Sequence, residues 1–229
     1  MPNKKLKTWN VQREKQDVFH NSRESVRFQY HILLRDISIK YDFPLEKVIA
    51  VFASLSPNTD YFNNLRSCVT VLNAFKQGYS IEQVKVSSYN HCRNRAFTYL
   101  NGVDFLATVK GKKITNFYLN LLNPMDRTPV TIDGHAFNIW RGEQKRLQNS
   151  LIKPNQYDEI ADGYREVAKI YGLIPNQVQA ITWLSWKWKH NLRTTKRQLE
   201  LFNNRQDDIH KTVYQVDDIK PYELVSSSG

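Results

Sequence analysis

The sequence predicts an all-α protein, and three features carry that reading. Apolar residues recur at the helical period in one segment after another, runs with strand alternation are scarce, and turn formers separate the apolar segments at short intervals. Taken in order, a first helix is expected around Val26, Tyr30, Leu33, Ile37 and Tyr41. Pro44 or its neighbour halts it, because proline lacks an amide hydrogen and restricts the residue before it. LEKVIAVFASLS follows, with Leu45, Val48, Ile49, Phe52 and Leu55 at helical spacing. FNNLRSCVTVLNAFK turns Phe62, Leu65, Val69 and Leu72 inward and stops near Gly78. KITNFYLNLL repeats the pattern with Ile114, Phe117, Tyr118, Leu121 and Leu122. YDEIADGYREVAKIYG does so with Ile160, Tyr164, Val167, Ala168 and Tyr171. Pro175 suits the first turn of a late helix carrying Val178, Ile181 and Trp188. Strand signals are limited to VTI at 130–132 and KVSS near 85, both weak. The expectation is eight or more helices joined by short loops, with the terminal SSSG (226–229) set aside as a disordered tail or cloning scar.

Length and composition narrow the function. A chain of 229 residues can bury a core as one domain or as two small lobes sharing a cleft. Hydrophobic residues, 41% of the total, are spread along the chain, which argues against disorder. No apolar run approaches the roughly 20 residues that span a bilayer, so no membrane partner is expected. The N-terminal MPNKKLKTWN is basic but lacks the apolar stretch of a secretion signal. Two cysteines, Cys68 and Cys92, are too few for a disulfide framework, a four-cysteine iron–sulfur site or a zinc cluster. A reducing, cytoplasmic and DNA-associated location is expected, with no metal and no cofactor. Lysine and arginine number 33 against 22 acids, a net charge of +11, and that excess favours a polyanionic partner such as nucleic acid. The plain alternative is a generically basic surface.

Three loops or helix ends offer contacts to such a partner. SLSPNTD at 54–60 is rich in turn formers; Asp60 suits a helix cap, while Ser56 and Asn58 can reach into a groove. In VKGKK at 109–113, Gly111 can take positive φ and turn its neighbours' amides outward. Amides beside a helix N-terminus seat a phosphate, and Lys110 and Lys112 reinforce the seat; alone, the glycine signals only a turn. ITWLSWKWKHNLRTTKRQ interleaves Trp183, Trp186 and Trp188 with Lys187, Lys189, Arg193, Lys196 and Arg197. That pattern fits a helix packed on one face and near phosphates on the other, or else a solvated basic face.

Three stretches, in order, resemble the helix-hairpin-helix DNA glycosylases, the superfamily of endonuclease III and the 8-oxoguanine glycosylases. PLEKVIAVFASLSPNTDYFNN resembles that family's P-F-x-x-L-I-x-x-x-L-S-x-Q-x-T-D helix and loop. YNHCRNRAFTY resembles its Y-N-x-K-A-x-x-I helix start. Val109, Lys110, Gly111, Lys112 and Lys113, then Ile132, Asp133, Gly134 and His135, stand where the family has L-P-G-V-G-x-K-x-A and, about twenty residues later, V-D-x-H. The likeness covers about 44–185, and its specificity lies in the order and spacing of the three pieces together. Val109 replaces the usual first hairpin glycine, Lys110 replaces an apolar residue, and the four-cysteine cluster of endonuclease III is missing. The resemblance implies a two-lobed helix-hairpin-helix bundle with a cleft between lobes. One lobe is expected at 44–128, ending in the hairpin and the helix after it, and the other at 1–43 plus 129–225.

It also implies a reaction. Breaking a glycosidic bond needs a nucleophile for C1′ and a charge to steady the cationic sugar. A lysine amine serves as the first once its proton is removed or a dry, basic pocket favours its neutral form, and a nearby carboxylate serves as the second. By the resemblance Lys113 is the nucleophile and Asp133 the carboxylate, with Lys112 the rival should the hairpin alignment slip by one. A carboxylate at a helix start is favoured by the macrodipole, although Asp133 equally suits a plain N-cap. His135 reads as a packed or hydrogen-bonded residue. The partner implied is double-stranded DNA with a damaged or modified base, everted from the stack and met by a monomer. Asn58, Tyr89 and Asn90 are candidates to fill the gap the base leaves. A non-catalytic DNA-binding protein of the same fold is the alternative.

Overall fold

The computed structural model describes residues 26–144, 152–190 and 216–225, without the side chains of Val26, Arg27, Phe28, Pro154, Trp188 and Asp218. The expectations for the basic N-terminus, for Arg193, Lys196 and Arg197, and for the 226–229 tail lie outside the described residues. Among those described the protein is all-α, with nine α-helices, two 3-10 turns and no strand. The helices are α1 (Val26–Tyr41), α2 (Leu45–Leu55), α3 (Tyr61–Lys76), α4 (Asn90–Leu100), α5 (Phe105–Thr108), α6 (Lys112–Leu122), α7 (Gly134–Arg141), α8 (Pro154–Tyr171) and α9 (Pro175–Lys189). No helix among them is long and apolar enough to cross a membrane.

The described residues fall into two compact units: 30–110 with 216–225, and 26–29 with 111–144 and 152–190. The boundary thus passes between Lys110 and Gly111, within the segment expected to form one hairpin, and α6 groups with the later helices. Side chains tie α6 to that unit: Asn120 bonds to Thr131, and Asn116 and Lys112 reach Tyr157 and Asp158 on α8.

In the first unit α2 is the central helix. Every residue from Val48 to Leu55 is buried, and α2 packs against both α3 and α4. An all-round apolar helix has to be enclosed in this way. Asp60 caps α3 by accepting from the amides of Phe62 and Asn63, each at 3.0 Å, as its loop position predicts. Gly78, at φ +74, lets the chain reverse after α3 so that the Tyr79 amide reaches the Ala74 carbonyl. Cys68 and Cys92 are buried free thiols, and Cys68 donates to the Val48 carbonyl. The 216–225 segment is pinned to the same unit: Asp217 pairs with Lys40, and Tyr222 donates its hydroxyl to Asn63 under the Arg66 guanidinium.

In the second unit α7, α8 and α9 pack pairwise. Ile160, Tyr164, Val167 and Ala168 of α8 are buried on the face the sequence periodicity marks. Burying each large apolar side chain there contributes about 1.5–3 kcal/mol before its entropy cost. Gly172, at φ +64, ends α8 and the Leu173 amide closes onto the Ala168 carbonyl, a left-handed cap that glycine takes without strain. Pro175 opens α9, as predicted.

Candidate active site

The connection from α6 to α7 has no regular structure, so its backbone groups need partners from elsewhere. Side chains of α8 and α9 supply several. Arg165 donates from Nε and from a terminal nitrogen to the Thr128 carbonyl, at 3.0 and 2.6 Å, and Asn176 donates to the Pro124 carbonyl at 2.8 Å. Asn120 of α6 donates to the Thr131 hydroxyl at 2.9 Å. The weak strand expected at 130–132 is absent because its polar groups bind a phenol: the Tyr157 hydroxyl accepts from the Ile132 amide at 3.1 Å and donates to the Val130 carbonyl at 2.9 Å. KVSS near 85 is likewise no strand.

This pinned segment delivers Asp133 to the start of α7. Its carboxylate accepts from the Ala136 amide at 2.8 Å and is half-buried, so Asp133 is an N-cap as well as a charge. Two residues on, His135 is half-buried with its Nδ1 buried and unpartnered among the described residues. Of the two roles open to it, packed or hydrogen-bonded, the packed one is seen: His135 meets the Trp183 ring edge-on at 6.3 Å. Burial lowers the imidazole below its ordinary value; the Asp133 carboxylate opposes that shift, and the Lys187 and Lys113 ammonium groups add to it. All three charged groups therefore lie within electrostatic reach of one ring. Asp133 also acts on two phenols. Burial pushes Tyr157 and Tyr164 up, against hydrogen bonds to Ile132 and Asn116 for the first and Thr182 for the second, and Asp133 pushes both further.

The two lysines of the hairpin are placed differently. Lys113 is exposed in the first turn of α6, where a dry pocket was one route to a neutral amine. That route is not formed: in the free chain no burial removes water from it. Lys112 Nζ turns to Asp158 on α8 at 2.6 Å. Gly111 has φ −94 and ψ 114, extended backbone that any residue adopts, so the positive-φ amide seat open to a glycine there is not formed. Lys110 is exposed. On α9, the Lys187 ammonium lies 4.1 Å from the centre of the Trp183 ring, and Lys189 is exposed at the last residue.

The remaining candidates lie in the first unit, where the structure brings two loops together. Ser88 donates to the Pro57 carbonyl at 2.7 Å, and the Thr59 and Ser87 hydroxyls are 2.6 Å apart. Between these ties Asn58 is exposed at φ +55, a left-handed conformation uncommon outside glycine that asparagine tolerates best. Ser56 instead closes α2, its hydroxyl donating to the Ala53 carbonyl. Tyr89 is exposed and stacks on His91 with ring centres 5.4 Å apart, and Asn90, the first residue of α4, is exposed beside it.

A family profile described as "Family of unknown function (DUF7178)" matches residues 30–190, more than half the chain. The chain belongs to DUF7178. No curated protein and no solved structure matches it. The matched DUF7178 region takes in both loops of the first unit and the whole Lys113–Asp133–His135–Lys187 group. Two residues of that region escape sequence reasoning. Tyr157 carries a weak signal, lying three positions before Ile160 on the inward face of α8, where a buried phenol needs polar partners. Asp158 carries none.

Proposed function

We propose that the chain is a DNA glycosylase with AP-lyase activity that excises a damaged or modified base from duplex DNA as a monomer. The observation that carries this reading is geometric: Lys113 stands in the first turn of α6 and Asp133 caps α7, where the resemblance puts a nucleophile and its carboxylate, and the Tyr157 hydroxyl ties α6 to the segment leading into Asp133. On this reading the two units are the lobes of a helix-hairpin-helix glycosylase. Lys113 Nζ forms a bond to C1′ as the glycosidic bond breaks and its electron pair leaves with the base. Asp133 steadies the cationic sugar and takes the proton that Nζ loses. Opening of the C1′–O4′ bond gives the protonated Schiff base, and loss of a C2′ proton expels the 3′ phosphate. Because Lys113 is exposed in the free chain, the duplex itself has to exclude water from the amine.

Support for DNA as the partner comes from the charge of +11 and from the tied loops that present Asn58 and Tyr89. A second reading, DNA binding without catalysis, is favoured by one feature: the Asp133 carboxylate is already engaged as a helix cap. A panel of duplexes carrying oxidised, alkylated or otherwise modified bases separates the two. Catalysis gives base release and borohydride-trapped adduct with wild type, no adduct with Lys113→Gln, and little release with Asp133→Asn. Binding across the panel with no abasic product selects the second reading. Trapping that survives Lys113→Gln but vanishes in Lys112→Gln moves the nucleophile by one residue.

A further inference from the structure

The Tyr157 hydroxyl is fully used, and each partner lies on one side or the other of the proposed catalytic pair. From α6 it accepts from Asn116 Nδ2 at 3.0 Å, and the Lys112 carbonyl lies 3.3 Å away. From the segment leading into Asp133 it accepts from the Ile132 amide at 3.1 Å and donates to the Val130 carbonyl at 2.9 Å. A phenol has one proton and two acceptor sites, so these contacts leave no capacity over. Asn116 is three residues after Lys113, one turn along α6, and Ile132 immediately precedes Asp133. The hydroxyl therefore ties the helix bearing the proposed amine to the strand-like segment bearing the proposed carboxylate. It is placed on α8, a helix of 18 residues with a buried inner face. The shorter Asn120–Thr131 bond joins the same two segments further along and cannot set the α6 N-terminus by itself.

We propose that Tyr157 is a positioning residue, its hydroxyl fixing the placement of Lys113 relative to Asp133 without touching the substrate. The proposal rests on the glycosylase reading of that pair. Two facts favour positioning over mere packing. The aromatic ring alone would fill the core, yet the site uses a phenol whose oxygen meets two separate backbone segments. Burial also holds Tyr157 in its protonated form, so the bond to Val130 persists across the pH range in which an amine nucleophile works. An error of about 1 Å in such a pair costs on the order of a hundredfold in rate, so a single hydroxyl at this point has leverage.

The test uses a duplex with a single abasic site, whose aldehyde accepts an amine whichever base the protein prefers. Full-length wild type, Tyr157→Phe and Asn116→Ala are compared by borohydride trapping under single turnover, as maximal rate and as half-saturating protein concentration. Asn116→Ala removes the bond that the hydroxyl accepts from α6 and leaves the Ile132, Val130 and Lys112 backbone contacts in place, so it carries the test should Tyr157→Phe fail to fold. The proposal expects both variants to lose about tenfold to a hundredfold in maximal rate with half-saturation within about twofold of wild type. Wild-type rates in soluble variants overturn it and leave the glycosylase reading standing. A rise in half-saturation that accounts for the whole loss assigns Tyr157 a structural role and also overturns it. Absence of a wild-type adduct, or an adduct that survives both Lys113→Gln and Lys112→Gln, fails the underlying reading and removes the positioning role with it.

Discussion

The His135 imidazole sits where one anion and two cations act on it in opposition, with burial as the larger influence. It is thus a reporter of whether Lys113 and Asp133 share a neighbourhood, independent of any substrate. In an NMR titration Lys113→Gln should move the His135 midpoint up, because a cation that disfavours imidazolium is gone. Asp133→Asn should move it further down and by more, since Asp133 acts on the ring more strongly than either lysine. Asparagine caps a helix about as well as aspartate, so the second shift reads charge and not a frayed α7. A midpoint indifferent to both changes would mean that Lys113 and Asp133 do not share the neighbourhood of this ring, which the proposed function requires. The same depression has a sign for stability. As pH falls through the ordinary histidine value of 6.5 the unfolded chain binds the proton first, so this residue makes the fold less stable on acidification. At this scale the caps Asp60 and Asp133 were legible in the sequence, each through its place before a helix. Tyr157 was not, because its partners come from positions 25 to 45 residues away and no local pattern marks them.

Between elements, the α6–α8 pairing makes a prediction of its own. Lys112 opens α6 with its ammonium 2.6 Å from Asp158, and both groups are largely exposed. Such a pair is weak, worth about 0.2–1 kcal/mol, yet it competes with any phosphate that Lys112 would meet. Asp158→Asn should therefore tighten binding to duplex DNA by about twofold to fivefold at low salt, measured by fluorescence anisotropy, with the gain fading as salt rises. Unchanged or weaker binding would mean that Lys112 faces Asp158 and not the duplex. Helices were the most legible elements, since Val48, Ile49, Phe52 and Leu55, or Ile160, Tyr164 and Val167, announce a buried face by spacing alone. The backbone of the connections was less so. Residues 130–132 have strand-like composition but satisfy their hydrogen bonds through a tyrosine, and Gly111 is extended although a glycine there could have turned left-handed. Both outcomes depend on what packs nearby, which the local sequence does not encode.

For the molecule as a whole, the division at Lys110–Gly111 follows from which helices pack, a property read from contacts and not from composition. Charge, by contrast, is fixed by composition alone, and +11 favours a polyanionic partner, whose binding salt would oppose. Each phosphate neutralised by a lysine or arginine releases condensed counterions, so the slope of log K against log salt is about −0.9 per contact. If DNA is the partner, binding to an undamaged duplex should already fall steeply between low and physiological salt, because this component needs no lesion. Lys189, exposed at the end of α9, offers a single-residue measurement within that total. Lys189→Ala should make the slope shallower by about 0.9 and weaken binding to damaged and undamaged duplexes alike. Lys187 is held over Trp183 and beside His135, so Lys187→Ala should act differently, raising the His135 midpoint as it alters binding. A slope near zero in the wild type would leave the positive charge without a DNA role, and both the catalytic and the non-catalytic readings would fall together.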